Sequence, residues 1–200
     1  IMKKFPSVLF EGCAGGGGRF DLGNLCYFAQ YWTSDDTDAR MRIDIQAGSS
    51  YGYPQTVMGA HVSASPNHQT GNSNSLDARF NVACGGLLGY ELDMTKFTPQ
   101  EMEEVAQQIE FYKENRKLLQ FGDQYRIDEK FVKGFITVSK DKSMAIAVLN
   151  QTVAYPAMPL VTVRLKGLSE TTVYDVTRRD GKGSFTAEGD LLMNGDLPLP

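Results

Sequence analysis

Three aspartates, Asp35, Asp36 and Asp38, fall within four residues of one another, shortly after Trp32, the only tryptophan of the chain. Carboxylates this close can ligate a metal, divide acid/base work, or simply cap a helix and solvate a loop. The spacing does not match a calcium loop, and no HxxxH or Cys/His set accompanies it, so neither a metal nor a cofactor is expected. Cleavage of a sugar linkage needs one carboxyl kept protonated to donate to the leaving oxygen. A crowded acidic neighbourhood, partly shielded by an aromatic ring, raises a pKa in that direction. Trp32 reads equally as an apolar wall for a sugar ring or as an ordinary core tryptophan.

A second group runs from Cys13 to Arg19 and holds four consecutive glycines, Gly15 to Gly18. It lacks the Gly-Lys-Ser/Thr ending of a phosphate loop and the GxGxxG-plus-acid pattern of a dinucleotide site. Backbone without side chains can approach a ligand closely and offer N–H groups to its hydroxyls, with Cys13 as a small wall residue beside it. No histidine or base pattern marks Cys13 as a nucleophile. His61 and His68 are too loosely placed for ligands and are expected to be hydrogen-bonded architecture. Glu91 and Asp93 close a strand and either line the same rim or cap it.

The elements that must position these residues alternate. Val8 to Glu11 reads as a buried strand, Leu25 to Trp32 as a second, Tyr51 to Met58 as a third and Ala83 to Tyr90 as a fourth. Asp38 caps a helical pattern with Ala39, Ile43 and Ala47 on one face. Residues 65–75 form a polar loop. Thr98-Pro99-Gln100-Glu101 opens a helix through a capping box; Met102, Val105, Ala106, Ile109 and Tyr112 give it an apolar stripe, and it ends before Gly122. Beyond about residue 130 the pattern becomes short β-branched strands, with Asp180-Gly181 as a hairpin turn and no helix among them. The expected class is α/β: half of a (β/α)8 barrel over residues 1–128, followed by an antiparallel β domain over 129–200. In that fold chemistry sits where strands give way to loops, and the glycine run, the acidic cluster and the His61 segment each follow a strand candidate.

Composition narrows the partners. The chain has 200 residues, 42% hydrophobic and 22% charged, with net charge −4. That gives no basic field for nucleic acid, and no apolar run long enough for a membrane helix. Three cysteines without a CxxC pair read as reduced thiols, so a cytoplasmic location is expected. Ile1 to Phe5 resembles the tail of a helix and Leu197 to Pro200 closes no element, so both ends read as cut from something longer.

Leu9-Phe10-Glu11-Gly12-Cys13-Ala14-Gly15-Gly16-Gly17-Gly18-Arg19-Phe20-Asp21 resembles a signature of the glycoside hydrolase family 36 alpha-galactosidases. So do Gln30-Tyr31-Trp32-Thr33-Ser34-Asp35-Asp36-Thr37-Asp38-Ala39, and Met58-Gly59-Ala60-His61-Val62-Ser63 with Pro66-Asn67-His68-Gln69. Gly89-Tyr90-Glu91-Leu92-Asp93 and Leu119-Gln120-Phe121-Gly122-Asp123 continue the match in order and spacing. The resemblance implies a (β/α)8 barrel, a retaining two-carboxylate mechanism and no metal. It places the general acid/base on Asp35. It places galactose contacts on Cys13, Ala14, Gly15, Gly16 and Trp32, with Asp36 and Arg19 in support. Asn72 stands where a basic residue is common in the family, a departure that bears on substrate range.

The family's nucleophile is an aspartate in a Lys-x-Asp-Met-Asn type strand, and no such segment occurs in these 200 residues. Retention needs a second carboxyl about 5 Å from the acid. The resemblance therefore implies an alpha-galactoside oligosaccharide as substrate of a longer parent, itself a homo-oligomer, with this chain inactive alone. Two alternatives are a galactosyl transferase of raffinose- or stachyose-synthase type and a noncatalytic sugar-binding or assembly module.

Overall fold

Four short strands run parallel in the order of the chain: β1 (Glu11–Gly12), β2 (Gln30–Trp32), β3 (Met58–Ser63) and β4 (Leu87–Glu91). The computed structural model describes every residue except Ala14, Gly16, Gly17 and Pro200. A helix follows each strand: α1 (Leu22–Leu25), α2 (Ala39–Ser49), α3 (Leu76–Ala83) and α4 (Pro99–Phe121). No helix among the described residues is long and apolar enough to cross a membrane. Local chemistry fixes where the helices begin. Asp38 accepts from the Arg40 N–H to cap α2, and Ser75 Oγ accepts from the Ala78 N–H to cap α3. At α4 the capping box closes as expected: Glu101 Oε2 accepts from the Thr98 N–H at 2.8 Å, and Thr98 Oγ1 from the Glu101 N–H at 3.2 Å.

Register gives this sheet two unlike faces. Trp32 lies opposite Gly59, and His61 opposite Gly89. Because side chains alternate along a strand, Glu11, Trp32, His61 and Glu91 share one face. The other carries Tyr31, Met58, Ala60 and Val62, all between 0% and 2% exposed, with α3 packed against β3. The helix-covered face is the apolar core, and the opposite face holds the groups that can do chemistry.

Several elements differ from expectation. β1 is only two residues long, and Val8 and Leu9 are 48% and 87% exposed. Among the described residues it pairs with β2 alone, so it is an edge of this sheet. Leu25 to Tyr27 belong to α1 and the turn after it, so β2 starts late. Turns and a 3-10 turn at Gln55–Val57 take the place of the third strand expected over Tyr51 to Met58, and β3 begins only at Met58, with His61 and Ser63 inside it. α3 is an element beyond those expected, although Ser75 and Asp77 mark its start. The buried stripe of α4 is also rotated. Val105, Gln108, Leu118 and Leu119 point in, while Met102 is 43% exposed. Gln108 is tolerated inside because its Oε1 accepts from the Tyr90 hydroxyl at 2.9 Å and its Nε2 donates to Glu104.

The chain divides into two compact units, Ile1–Gln120 and Phe121–Pro200. The second holds a three-stranded antiparallel sheet of β5 (Asp123–Asp128), β6 (Val132–Val138) and β7 (Ala145–Gln151). Since β5 pairs with β6 from Asp123 to Asp128, those six residues belong to this unit's sheet. Two further pairs are β8 (Thr162–Val163) with β11 (Leu197–Pro198), and β9 (Val173–Thr177) with β10 (Ser184–Glu188). Gly181, at φ +71°, sits in the β9–β10 hairpin that Asp180-Gly181 led us to expect. A helix, α5 (Gly189–Asn194), interrupts this region against expectation. Its Leu192 is buried in a core with Ile127, Ile136, Val138, Val163, Leu168 and Ala187. Six residues are too few to show a helical period. The architecture is the expected class, a βα barrel part followed by antiparallel β structure.

Candidate active site

The acidic segment leaves the end of β2, and two sets of donors hold its backbone. From α2, Arg42 reaches in with only 3% of its surface exposed. Its Nη1 donates to Thr33 Oγ1 at 2.5 Å and to the Gly59 carbonyl at 3.3 Å. Nη2 donates to the Ser34 carbonyl at 2.6 Å, and Nε to the Asp36 carbonyl at 2.5 Å. Burial lowers the guanidinium pKa, and the charges of Asp36, Glu91 and Asp35 oppose that shift. The group stays a cation, as arginine does in proteins.

The second set comes from the end of β3 and the loop after it. Gln69 donates from Nε2 to the Asp35 carbonyl at 2.8 Å and accepts at Oε1 from the Thr37 N–H at 3.0 Å. Asn67 Nδ2 donates to Thr37 Oγ1, and Ser63 Oγ to the Thr37 carbonyl. The Pro66-Asn67-His68-Gln69 segment therefore serves the acidic segment directly.

This scaffold separates the three aspartates. Asp38 is fully buried and fully used. It caps α2, and its Oδ2 accepts from Thr70 Oγ1 and Asn72 Nδ2, each at 2.5 Å. Burial alone would raise its pKa, but these hydrogen bonds outweigh it and the net shift is downward. The crowding expected to favour a protonated carboxyl thus does not do so at Asp38, because its neighbours are donors. Asp36 Oδ1 accepts from the Asp38 N–H at 3.0 Å. Asp35 alone is exposed, with its backbone held and its carboxylate making no hydrogen bond or ion pair among the described residues.

A pH dependence follows for Asp38. Its lowered pKa stabilises the fold above about pH 3.9, the carboxyl's ordinary value, and that contribution is lost as pH falls through the lower folded value. The gap in urea midpoint between the parent chain and Asp38→Asn is therefore expected to be largest near neutrality and to shrink in strong acid. A gap that stayed constant or widened on acidification would contradict this.

Trp32, at the end of β2, lies partly exposed against His61, with ring centroids 4.3 Å apart and planes 13° from parallel. Arg42 stands 5.7 Å from the indole centroid. His61 is thus placed by stacking. Against the hydrogen-bonded role expected for it, its buried Nδ1 has no partner among the described residues. His68 is exposed. Asp93 caps the 3-10 turn Met94–Lys96, whereas the Glu91 charge acts on both His61 and Arg42 at the polar face.

Of the glycine run, Ala14 and Gly16 lie outside the described residues. Cys13 is an exposed thiol, and Gly15 is exposed in a turn at φ +58°. Arg19 is exposed, and its carbonyl accepts from Asn24 Nδ2. The segment is moored through Phe20, which stacks on Tyr31 and on Tyr53 and whose carbonyl accepts from the Tyr53 hydroxyl at 2.9 Å. Sequence reasoning missed Arg42, Asn67, Gln69 and Thr70 as site residues. Asn67 and Gln69 lay in a motif that the resemblance quoted without a role, and Thr70 had as its signal a loop unusually rich in amides and hydroxyls.

A family model described as Melibiase matches residues 1–122. The chain belongs to this family of glycoside hydrolases, family 36. The family 36 C-terminal domain matches residues 133–200. Alpha-galactosidase AgaA of Geobacillus stearothermophilus, a family 36 relative, is 46% identical over all of this chain, which spans 27% of that enzyme's length. A crystal structure of a variant of AgaA in complex with raffinose superposes at TM-score 0.91 with 44% identity, covering 100% of this chain and 27% of the other. A second, with stachyose, gives TM-score 0.92 and 45% identity, covering 100% and 28%.

Proposed function

We propose that this family 36 chain supplies the acid/base half of a retaining alpha-galactosidase acting on raffinose-type oligosaccharides. Asp35 protonates the leaving glycosidic oxygen and then takes a proton from the water that releases galactose. The observation that carries this reading is the division of labour among the aspartates. Asp38 is consumed in capping and Asp36 turns back on the loop, while Asp35 presents an uncommitted carboxylate on a backbone fixed from two sides. A proton donor must face substrate without a competing partner, and must hold its place within a few tenths of an ångström. Relatives crystallised with raffinose and stachyose support the substrate class.

Trp32 forms an apolar wall for the galactosyl ring, and Cys13, Gly15 and the rest of the glycine run give its hydroxyls backbone partners. The nucleophile is a second carboxylate that no Lys-x-Asp-Met-Asn segment of this sequence provides. The 200-residue chain alone is therefore expected to give no turnover of raffinose, while galactose perturbs Trp32 emission. Robust turnover by the chain that is lost in Asp35→Asn would overturn the assignment of the nucleophile elsewhere. We also propose a cytoplasmic setting, supported by three free cysteines, and association through the sheet edges at β1 and β4. A strictly monomeric species in sedimentation would count against association.

A further inference from the structure

The His61 ring occupies a slot that two strands build for it. On one side lies the Trp32 indole, nearly parallel at 4.3 Å between centroids. On the other is Gly89, directly across the β3–β4 register. A Cβ at Gly89 would stand 2.6 Å from His61 Cδ2 and 3.0 Å from Nε2, closer than carbon atoms approach. A side chain of any kind at 89 would push the imidazole out of its place. Gly59, also on this face, leaves the other edge of the ring clear: a Cβ there would meet His61 Cε1 at 3.5 Å and Glu11 Oε1 at 3.3 Å.

We propose that His61, in its neutral form, is the positioning residue of Trp32: it is the floor that sets the plane and height of the indole, and Gly89 is glycine to admit it. The proposal rests on the reading of Trp32 as the sugar wall only for its consequence in binding; the stack itself is independent of that reading. Neutrality follows from the surroundings. Protonation would place an N–H on Nδ1, which is buried with no acceptor among the described residues. It would also add a second cation beside an indole already attended by Arg42. The charged groups that face the ring are Glu91 from β4, Glu11 from β1 and Arg42 from α2. Burial outweighs the two carboxylates and holds the imidazole below the ordinary histidine range.

Because Trp32 is the only tryptophan, emission excited selectively at the indole reports on this one ring in the 200-residue chain. His61→Phe keeps a flat ring in the slot without a titrating group, and His61→Ala empties it. We expect His61→Phe to retain the emission maximum and anisotropy of the parent. His61→Ala and Gly89→Ala should shift emission to the red and lose anisotropy. Acidification should quench the parent with a midpoint below about 6.5, the ordinary histidine value. That transition should persist in His68→Gln and vanish in His61→Phe. If Gly89→Ala does not fold, the double variant His61→Ala/Gly89→Ala is expected to restore folding by circular dichroism, since the clash partner is gone.

Parent-like emission and anisotropy in His61→Ala, an acid transition that survives in His61→Phe, or a double variant no better folded than Gly89→Ala would each overturn the proposal. Galactose supplies the separate arm: it should bind His61→Phe like the parent and His61→Ala more weakly. If galactose leaves parental Trp32 emission unchanged while the variants behave as expected, the sugar-wall reading fails and the positioning role stands.

Discussion

Replacing Asp35 by asparagine in a longer form of the chain that also carries the nucleophile is expected to lower turnover of raffinose by about 10²–10⁴-fold, the usual contribution of a general acid. Asparagine keeps the size of the side chain and cannot transfer a proton. A galactoside with an aryl leaving group that departs as a stable anion should lose much less in its first step, because that step no longer needs the proton. Asp36→Asn is expected to be far milder, since an amide oxygen can still accept from the Asp38 N–H as Oδ1 does now. Asp38→Asn should act on stability. Steady-state rates on the two substrates decide the matter. Equal losses on both, or a larger loss in Asp36→Asn, would move the acid away from Asp35.

Arg42→Lys keeps the charge and is nonetheless expected to cost about 3 kcal/mol or more of unfolding free energy. Four oxygens, on Thr33, Ser34, Asp36 and Gly59, converge on the planar guanidinium. An ammonium is a point donor on a flexible stem and cannot serve oxygens spread around a fork. Each buried acceptor left without a donor costs about 1–3 kcal/mol, and at least two are stranded. The measurement is the urea midpoint at unchanged slope. A loss within about 0.5 kcal/mol, the range of ordinary surface substitutions, would show that the loop carries itself.

Arg42 also shows why part of this site was not legible in the sequence. Along Ala39-Arg40-Met41-Arg42 the hydropathy pattern points the wrong way, for Met41 is 44% exposed and Arg42 only 3%. The helix turns an arginine inward because the strand ends it faces present carbonyls, and no local period encodes that. The caps at Asp38 and Thr98 were readable, since each acts within three residues of itself. The parallel order of the strands was readable from their alternation with helical segments. Strand limits were not: β1 and β3 begin where a partner or a 3-10 turn dictates, a non-local fact. The choice among the three aspartates could not come from composition either. The resemblance alone pointed to Asp35; what the structure adds is that Thr70 and Asn72, more than thirty residues away in sequence, spend their donors on Asp38.

The same junction at Asp38 has a consequence for how the protein opens. One carboxylate begins α2, closes the acidic loop and anchors the loop after β3, so none of the three can loosen without the others. Their amides should exchange with solvent as a single cooperative unit, at one shared opening free energy. Variation at the acid loop would then be all-or-none, a poor route for gradual change in substrate preference. Such change can accumulate instead at exposed positions such as Cys13, Gly15 and Arg19, without disturbing that junction.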